Sequence, residues 1–351
     1  PMQIRNLGDL TDMKIIDRTA LILEIFASRA RSKEAKLQVQ IAKLRISLPR
    51  LHTDNDKVKL DQQTGGGSGS FNSRGGGETK LEKDRRVIGK RISILKKELK
   101  DIEEKQNVTR KQRDASGLRS VALVGYTNAG KSTTMNGLLR ACGKDDDKQV
   151  FEKDMLFATL DTTTRKIELP HGQPLLLTDT VGFIRNLPHR LVEAFKSTLE
   201  EAVLADFLIQ VVDASDPEAV RHYETTLEVL NELGAGDKPM IVVLNKVDLV
   251  PEERRGALET LLAPHFSGRV VPMSVKEGNG EGDLLNACVE MLESRVRRAR
   301  FLIPYTRSDL VAAMHSEGKV FSTEYVEEGT LLEAVLPVAF YNKLESFLAD
   351  R

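Results

Sequence analysis

Residues 125–132 read Gly125-Tyr126-Thr127-Asn128-Ala129-Gly130-Lys131-Ser132. The segment follows an apolar run at residues 121–124, which predicts a strand, and leads into residues 133–139, which predict a helix. In this context the glycines allow backbone N–H groups to wrap a phosphate, and the helix N-terminus adds donors and partial positive charge. We expect Lys131 to reach the β- and γ-phosphates and the Ser132 hydroxyl to bind Mg²⁺. The alternative is a chance match in a glycine-containing turn.

A second motif, Asp179-Thr180-Val181-Gly182, follows the short apolar strand predicted at residues 175–178. It offers the Asp179 carboxylate to the Mg²⁺ shell and the Gly182 N–H to a γ-phosphate. The next residue is Phe183, which cannot orient an attacking water as the glutamine of Ras-like enzymes does in that place. We therefore expect Phe183 to pack the switch, and intrinsic hydrolysis to be slow until a partner orders the switches.

Two further motifs lie at the ends of predicted strands. In Asn245-Lys246-Val247-Asp248, the Asp248 carboxylate can accept hydrogen bonds from N1–H and the 2-amino group of guanine, two donors that adenine lacks. In Ser274-Val275-Lys276, a backbone N–H is available to guanine O6. Four motifs in this order predict a site for GTP and argue against an ATP-driven remodelling enzyme.

The polar stretch at residues 144–165 predicts the first switch. One of its threonines is expected to complete the Mg²⁺ shell through its hydroxyl and to sense the γ-phosphate through its N–H. Our choice is Thr163, with Thr162 and Thr164 as alternatives. For Asn128, one interpretation is a ligand to a K⁺ that replaces an arginine finger, and the other is a structural turn.

The predicted site residues fall into three groups. The catalytic group consists of Lys131, Thr163 and Gly182. The metal group consists of Ser132, Thr163 and Asp179 for Mg²⁺, and Asn128 for K⁺. The residues expected to bind GTP or GDP are Gly125, Tyr126, Thr127, Asn128, Ala129, Gly130, Lys131, Ser132, Thr133, Asp179, Gly182, Asn245, Lys246, Asp248, Ser274, Val275 and Lys276.

The composition limits the class of protein. With 351 residues and 40% apolar content, the chain can form two or three domains with their own cores. Its two cysteines cannot form a disulfide framework, and no Cys/His cluster suggests zinc, which fits a reducing compartment. No apolar run approaches the roughly 20 residues that span a bilayer, and no signal peptide is visible. Because Pro1 stands where an initiator methionine is usual, we expect a chain that lacks its true N-terminus.

The net charge is zero, but the charges are unevenly distributed. Residues 27–119 carry 24 Lys and Arg against 12 Asp and Glu, and the rest of the chain has the matching acidic excess. This split suggests that the basic part faces a polyanion. The alternative is a solvated helical surface of mixed charge.

Two long helices are predicted within this basic part. Residues 18–48 are expected to form one helix that Pro49 ends. Its apolar stripe consists of Ile22, Phe26, Ala30, Leu37, Ile41, Leu44 and Leu48. Residues 79–113 are expected to form the second helix, with the heptad seam Leu81, Ile88, Ile92, Leu95, Leu99 and Ile102. Together they predict an antiparallel hairpin with the glycine-rich loop 49–78 at its tip. The alternative for this loop is a flexible linker.

The chain therefore predicts an α/β protein with four parts. Residues 1–17 are expected to be the remnant of an N-terminal α/β subdomain, and residues 18–113 the hairpin. Residues 114–296 alternate strands and helices, the last helix at 280–296, which predicts a P-loop GTPase domain with a doubly wound, mostly parallel sheet. Residues 297–351 are expected to form a small α+β domain.

From Ile15 onward the chain resembles the HflX family of translation-associated GTPases. The most specific segments are Ile16-Asp17-Arg18-Thr19-Ala20-Leu21-Ile22-Leu23, Gly77-Glu78-Thr79-Lys80-Leu81-Glu82-Lys83-Asp84-Arg85-Arg86, Phe157-Ala158-Thr159-Leu160-Asp161 and Asp179-Thr180-Val181-Gly182-Phe183-Ile184. The resemblance implies a protein that binds the large ribosomal subunit and, in its GTP form, separates stalled or idle ribosomes. It also implies that the basic hairpin and its loop point into ribosomal RNA near the peptidyl-transferase centre.

The chain departs from the family pattern in three places. The α/β subdomain that opens the family's N-terminal domain is almost entirely absent, and Thr162 stands where family members commonly have proline. Residues 51–72 differ from the usual loop and include Asp54, Asp56 and Asp61. An alternative function is a ribosome-assembly or RNA-binding factor without splitting activity. We expect a monomer without a membrane span, in the bacterial cytoplasm or alternatively in an organelle matrix.

Overall fold

The structure, a computed structural model, describes residues 2–13, 15–64, 80–115, 118–143, 160, 162–185, 196–262, 269–293 and 296–349. The stretch 65–79 of the predicted loop lies outside these ranges, as do residues 144–159 and 161 of the first switch predicted at 144–165. The chain divides into two compact units, one formed by Pro1–Glu168 with Pro174–Asn279 and the other by Leu169–Gln173 with Gly280–Arg351. The predicted domain boundaries at residues 17, 113 and 296 stay predictions.

Helices occupy the chain before the first strand: α1 (Met2–Thr11), α2 (Arg18–Arg29), α3 (Lys33–Thr64) and α4 (Lys80–Ala115). Glu34, near the start of α3, accepts a 2.7 Å hydrogen bond from the side-chain amide of Gln106, near the end of α4, so the two helices run antiparallel. Their seam buries Leu37, Ile41, Ile92 and Leu95, flanked by Leu44, Leu48, Ile88, Leu99 and Ile102. The heptad spacing thus produces the predicted hairpin, which we call the arm.

The expectation of one continuous helix over residues 18–48 is wrong. Ala30 adopts an extended conformation with ψ of 113° and ends α2. The Ser32 hydroxyl then accepts a 3.0 Å hydrogen bond from the Ala35 N–H and caps α3. A serine that satisfies an N-terminal donor favours a new helix start over continuation of the old helix. Ser32 followed by Glu34 was the available sequence signal for this break.

The predicted helix end at Pro49 and the predicted loop start at the same residue are also wrong, because α3 continues through Pro49 to Thr64. An interior proline removes one backbone donor and disfavours a helix without forbidding it. Residues 50–64 contain no glycine and are mostly polar or aliphatic residues that a helix tolerates.

The residues of the predicted apolar stripe that lie on α2 do not pack in the arm seam. Ile22 and Phe26 on α2 are buried against Val181, Phe183 and Ile184 of the second motif rather than in the arm seam. The remaining members of this cluster from the arm are Ala30, Ala35, Val39 and Ala42. Helix α2 therefore shares one cluster with the second motif, and α3 contributes to this cluster as well as to the arm seam.

The first unit contains a six-stranded sheet with the order β2-β3-β1-β4-β5-β6. Its strands are β1 (Arg119–Gly125), β2 (Thr163–Glu168), β3 (Pro174–Asp179), β4 (Phe207–Asp213), β5 (Met240–Asn245) and β6 (Val270–Pro272). Strand β2 is antiparallel to β3, and the other neighbours are parallel. The helices of this part are α5 (Lys131–Ala141), α6 (Lys196–Leu204), α7 (Ala219–Glu232) and α8 (Glu252–Leu262). The predicted mostly parallel α/β sheet is confirmed.

The second unit contains a three-stranded antiparallel sheet of order β7-β9-β8. Its elements are α9 (Glu281–Glu293), β7 (Val296–Ile303), α10 (Ser308–Glu317), β8 (Lys319–Val326), β9 (Gly329–Pro337) and α11 (Val338–Lys343). The predicted helix 280–296 ends early because β7 follows it and pairs with β9. The alternation of the apolar residues Ala299, Phe301 and Ile303 was the signal for this strand.

None of the helices within the described ranges is both long enough and apolar enough to cross a membrane.

The arm seam gives a stability prediction. Leu95 is 2% exposed and the neighbouring Ile94 is 52% exposed, so the two positions provide a matched pair. We expect Leu95→Ala to lower the free energy of unfolding by about 2–5 kcal/mol, because it removes buried methyl groups and leaves a cavity. Ile94→Ala should change it by less than about 0.5 kcal/mol. Urea unfolding followed by circular dichroism measures the free energy of unfolding of both variants. Equal losses in the two variants would contradict the burial of Leu95 in the arm seam.

Candidate nucleotide-binding site

The turn between β1 and α5 has the backbone shape of a phosphate cradle. Gly130 has φ of +98°, and a Cβ built there would collide with the side-chain amide of Asn245, so only glycine fits. Asn128 has φ of +64°, in the left-handed region that asparagine tolerates. Helix α5 begins at Lys131, and its free N-terminal donors therefore follow the turn directly.

Lys131 is buried at the base of this turn. Its Nζ donates to the carbonyl oxygens of Gly125 and Tyr126, at 3.1 and 2.9 Å. Burial lowers the pKa of the Lys131 ammonium from 10.5 to about 8, and the nearby Asp179 carboxylate opposes this shift. The residue is therefore an ammonium held by backbone dipoles in a place where a phosphate would give it a stronger partner.

The predicted Mg²⁺ ligands meet at the carboxyl end of β3. The Ser132 hydroxyl donates to Asp179 Oδ2 at 2.6 Å, and Thr163 lies opposite Asp179 in the β2–β3 register. The Thr164 hydroxyl instead forms a 3.0 Å hydrogen bond with the Thr178 hydroxyl. Hydroxyl and carboxylate oxygens are ligands that Mg²⁺ prefers, so Ser132 and Asp179 fit the ion. Within the described ranges, no group of three or more His, Cys, Asp or Glu residues is arranged to hold a metal ion.

A cavity of about 470 Å³ adjoins the cradle, and most of its lining was predicted. The predicted lining residues are Asn128, Gly130, Thr133, Asn245, Lys246, Asp248, Ser274, Val275 and Lys276. The Ser274 hydroxyl donates to Asp248 Oδ1 at 2.7 Å and orients that carboxylate. Leu249 also lines the cavity and was missed, although an apolar side chain next to Asp248 is a natural neighbour for the face of a base.

The base motif and the phosphate cradle are joined by hydrogen bonds. The Asn245 side-chain amide donates to the Ala129 carbonyl at 3.0 Å. Lys246 Nζ donates to the Asn128 carbonyl at 3.1 Å and to Asp213 Oδ2 at 2.6 Å. Asp213 was not predicted as a site residue, and its position at the end of β4 was the available signal. Asn245 and Lys246 thus fix the turn rather than only lining the cavity.

The second motif is fastened to the same turn. The Phe183 N–H donates to the Gly125 carbonyl at 3.0 Å, and the Thr127 N–H donates to the Phe183 carbonyl at 2.8 Å. A Cβ built on Gly182 would lie 2.8 Å from Thr127 Cα and 3.0 Å from Lys131 Nζ, so a larger residue would displace the turn. The Phe183 side chain is buried, as predicted, and brings no hydrogen-bonding group to the phosphates.

The Tyr126 side chain points away from the predicted nucleotide contacts. Its ring stacks on His222 with centroids 3.7 Å apart, and its hydroxyl lies 3.5 Å from the Arg185 N–H. Its carbonyl is one of the two acceptors that hold Lys131. The contribution of Tyr126 to the turn is therefore made through the backbone, and the stacking partner His222 was missed because it lies far away in sequence.

The comparisons with known proteins agree with this geometry. Family models described as "GTP-binding GTPase N-terminal", "GTP-binding GTPase Middle Region" and "50S ribosome-binding GTPase" match residues 1–27, 29–113 and 120–246. A "GTPase HflX" of Akkermansia muciniphila is 72% identical over 100% of this chain and 79% of its own length. The chain belongs to the HflX family of GTPases. A second "GTPase HflX", from Lacrimispora saccharolytica, is 42% identical over 98% of this chain and 77% of its own.

A solved structure with a similar fold contains a bound guanine nucleotide. The crystal structure of SsGBP in complex with GDP matches with a TM-score of 0.50 and 28% identity, over 83% of this chain and 78% of that one. This member of the HflX family is thus a GTP-hydrolysing enzyme that binds guanine nucleotides. The roles of the individual site residues stay predictions.

The pKa of Lys131 gives a test of the phosphate assignment. Near pH 8.0 about half of the unliganded protein should carry a neutral Lys131, and a bound phosphate should raise that pKa and restore the proton. We expect GDP binding at pH 8.0 to take up about half a proton, and the uptake to approach zero near pH 7. Isothermal titration calorimetry in buffers with different ionisation enthalpies measures it. Absence of uptake at pH 8.0 would place Lys131 away from the phosphates.

The assignment of Asp248 gives a second prediction. Asp248→Asn should weaken GTP binding by about a hundredfold, because two hydrogen bonds to a charged acceptor are lost. The amide should instead accept xanthosine triphosphate, which has an oxygen where guanine has the 2-amino group. Equilibrium binding of both nucleotides measures the exchange, with the exposed Asp237→Asn as control. An unchanged preference for GTP in Asp248→Asn would refute the base-recognition role.

Proposed function

We propose that this GTPase binds the large ribosomal subunit and, with GTP bound, separates stalled or idle ribosomes. The observation that carries the proposal is a shared apolar cluster: α2, at the base of a basic arm, is buried in the same cluster as Val181, Phe183 and Ile184, at and just after the second nucleotide motif. A polyanion bound along the arm and a nucleotide in the site would then act on the same helix.

The charge of the arm favours nucleic acid as its partner. Residues 27–119 carry twice as many basic as acidic residues. On the part of α4 whose side chains are described, the exposed basic residues are Lys83, Arg85, Arg86, Lys90, Arg91, Lys96, Lys97, Lys100 and Lys105. A rigid helical surface with basic residues along its length suits the phosphates of folded RNA. The match of residues 120–246 to a family described as "50S ribosome-binding GTPase" supports the large subunit as the source of this RNA.

For hydrolysis, the residues of the chain position and neutralise GTP rather than react with it. The glycine turn and the N-terminus of α5 hold the phosphates, and Lys131 balances the charge that develops on the β- and γ-phosphates. The Gly182 N–H and the Thr163 N–H donate to the γ-phosphate. When bound, Mg²⁺ is held by Ser132, Asp179 and Thr163 and neutralises phosphate charge. The Asn128 side chain would hold a K⁺ beside the same phosphates.

Phe183 explains why a partner is needed. The phenyl side chain at this position cannot orient the attacking water, so intrinsic hydrolysis is slow. The ribosome supplies the missing order by fixing the arm and, through α2, the second motif. Hydrolysis then returns the protein to the GDP state and releases it from the subunit. The protein acts in this scheme as a monomer in the bacterial cytoplasm.

A second candidate function is a ribosome-assembly or RNA-binding factor that docks without splitting. The same basic arm favours it, because binding to folded RNA requires no separation of subunits. Both functions use GTP, so nucleotide assays do not separate them.

Sedimentation of bacterial ribosomes in a sucrose gradient tests the proposal. With a non-hydrolysable GTP analogue, we expect the whole-ribosome peak to be converted into subunits, with the protein on the large one. The double variant Lys90→Glu/Arg91→Glu should lose binding and show a weaker salt dependence, because two phosphate contacts are removed. A matched charge reversal on the nucleotide unit, Arg221→Glu/Arg255→Glu, should behave like the unaltered protein. Binding without separation would support the second candidate, and absence of binding would overturn both.

A further inference from the structure

The segment Ile16-Asp17-Arg18-Thr19 lies outside the four nucleotide motifs, and the nucleotide chemistry described so far does not use it. Asp17 caps α2, since its Oδ1 accepts a 2.7 Å hydrogen bond from the Ala20 N–H. Arg18 is the first residue of α2, and its Nη2 donates to the carbonyl oxygen of Arg185 at 2.6 Å. These two residues are 167 positions apart in the sequence. The cap therefore fixes the turn from which Arg18 reaches the second nucleotide motif.

The acceptor Arg185 lies three residues after Gly182. Between them, the Phe183 backbone forms two hydrogen bonds to the phosphate turn, and the side chains of Phe183 and Ile184 are 2% and 6% exposed. Their buried neighbours include Ile22, Leu23 and Phe26 of α2. The short stretch from Gly182 to Arg185 is thus held by the phosphate turn at one end and by α2 at the other.

We propose that Arg18 is a positioning residue for the GTP-bound state. Its hydrogen bond holds the carboxyl end of the second motif, and this sets the place of the Gly182 N–H relative to Lys131 and the γ-phosphate. GDP lacks that phosphate, so the effect of Arg18 falls on GTP and not on GDP. The inference rests on the proposed role of Gly182 and extends it to a residue at the base of the arm.

The hydrogen bond between Arg18 and the Arg185 carbonyl also couples the arm to nucleotide binding in this proposal. If GTP and a ligand on the arm both favour the arrangement in which Arg18 binds the Arg185 carbonyl, each raises the affinity for the other, and by the same factor. Arg18 therefore supplies a physical link between the arm and the discrimination of GTP from GDP. Such a link requires no change in the guanine contacts, which are made at the opposite end of the nucleotide.

The test compares the affinities of a non-hydrolysable GTP analogue and of GDP in the full chain. We expect Arg18→Ala to lower the affinity for the GTP analogue about fivefold to tenfold, because one hydrogen bond from a charged donor is lost. The affinity for GDP should change by less than about twofold. Arg18→Lys keeps a charged donor, so its affinity for the GTP analogue should lie between those of the unaltered protein and of Arg18→Ala. Arg255→Ala removes an arginine whose ion pairs with Glu252 and Glu259 lie on the surface of α8, and it should leave both affinities unchanged.

Two outcomes would overturn the inference. Equal losses for the analogue and GDP, together with a lower melting temperature, would show that Arg18 only stabilises the fold. Unchanged affinities would show that the hydrogen bond does not act on the site. Gly182→Ala, measured in parallel, separates this failure from that of its premise. If Gly182→Ala selectively weakens the analogue and Arg18→Ala does not, the γ-phosphate contact stands and the positioning role is wrong. If neither is selective, the role of Gly182 is wrong as well.

Discussion

The burial of the Lys131 ammonium is the constraint on which the nucleotide site depends. The shift of its pKa from 10.5 to about 8 corresponds to roughly 3 kcal/mol against the charged form. Below pH 8 the folded chain bears this cost, and stability rises as the pH increases from 8 towards 10.5, because the unfolded chain then binds the extra proton. Carbonyl groups of the turn offset only part of the cost. A phosphate offsets more, so the site is preorganised for an anion.

The same turn determines how the arm is attached. The Phe183 backbone is bound to Gly125 and Thr127, while its side chain belongs to a cluster that contains Phe26 on α2. Burial of an aromatic side chain of this size contributes about 1.5–3 kcal/mol. One residue therefore joins the phosphate turn and the base of the arm. Ala35, Val39 and Ala42 of α3 belong to this cluster, whereas Leu37 and Ile41 belong to the seam with α4, so different positions on α3 pack on the two sides.

Local sequence patterns predicted much of this structure, and their limits have physical causes. The strand-end motifs and the heptad seam are short-range signals that burial enforces, and they placed the cavity lining and the pairing of α3 with α4 correctly. Apolar spacing did not predict which cluster a stripe enters, so Ile22 and Phe26 were assigned to the wrong partner. The long-range contacts of Asp213, His222 and Arg18 were not predicted, because local patterns do not show which distant residue a side chain meets. The break at Ser32 and the strand β7 had signals that a competing helical pattern obscured.

Phe183 occupies a position where a side chain can either orient the attacking water or pack in the cluster that contains α2. A glutamine at this position would orient water, but its amide could not be buried against α2 without unsatisfied hydrogen bonds. The phenylalanine forgoes that catalytic function and gains a packed contact with the helix that leads into the arm. Under the proposed function, Phe183 leaves the ordering of the attacking water to a partner, so we expect slow intrinsic hydrolysis when the arm has no ligand. In that proposal, the apolar cluster that Phe183 shares with α2 is also the route by which a ligand on the arm would act on the second nucleotide motif.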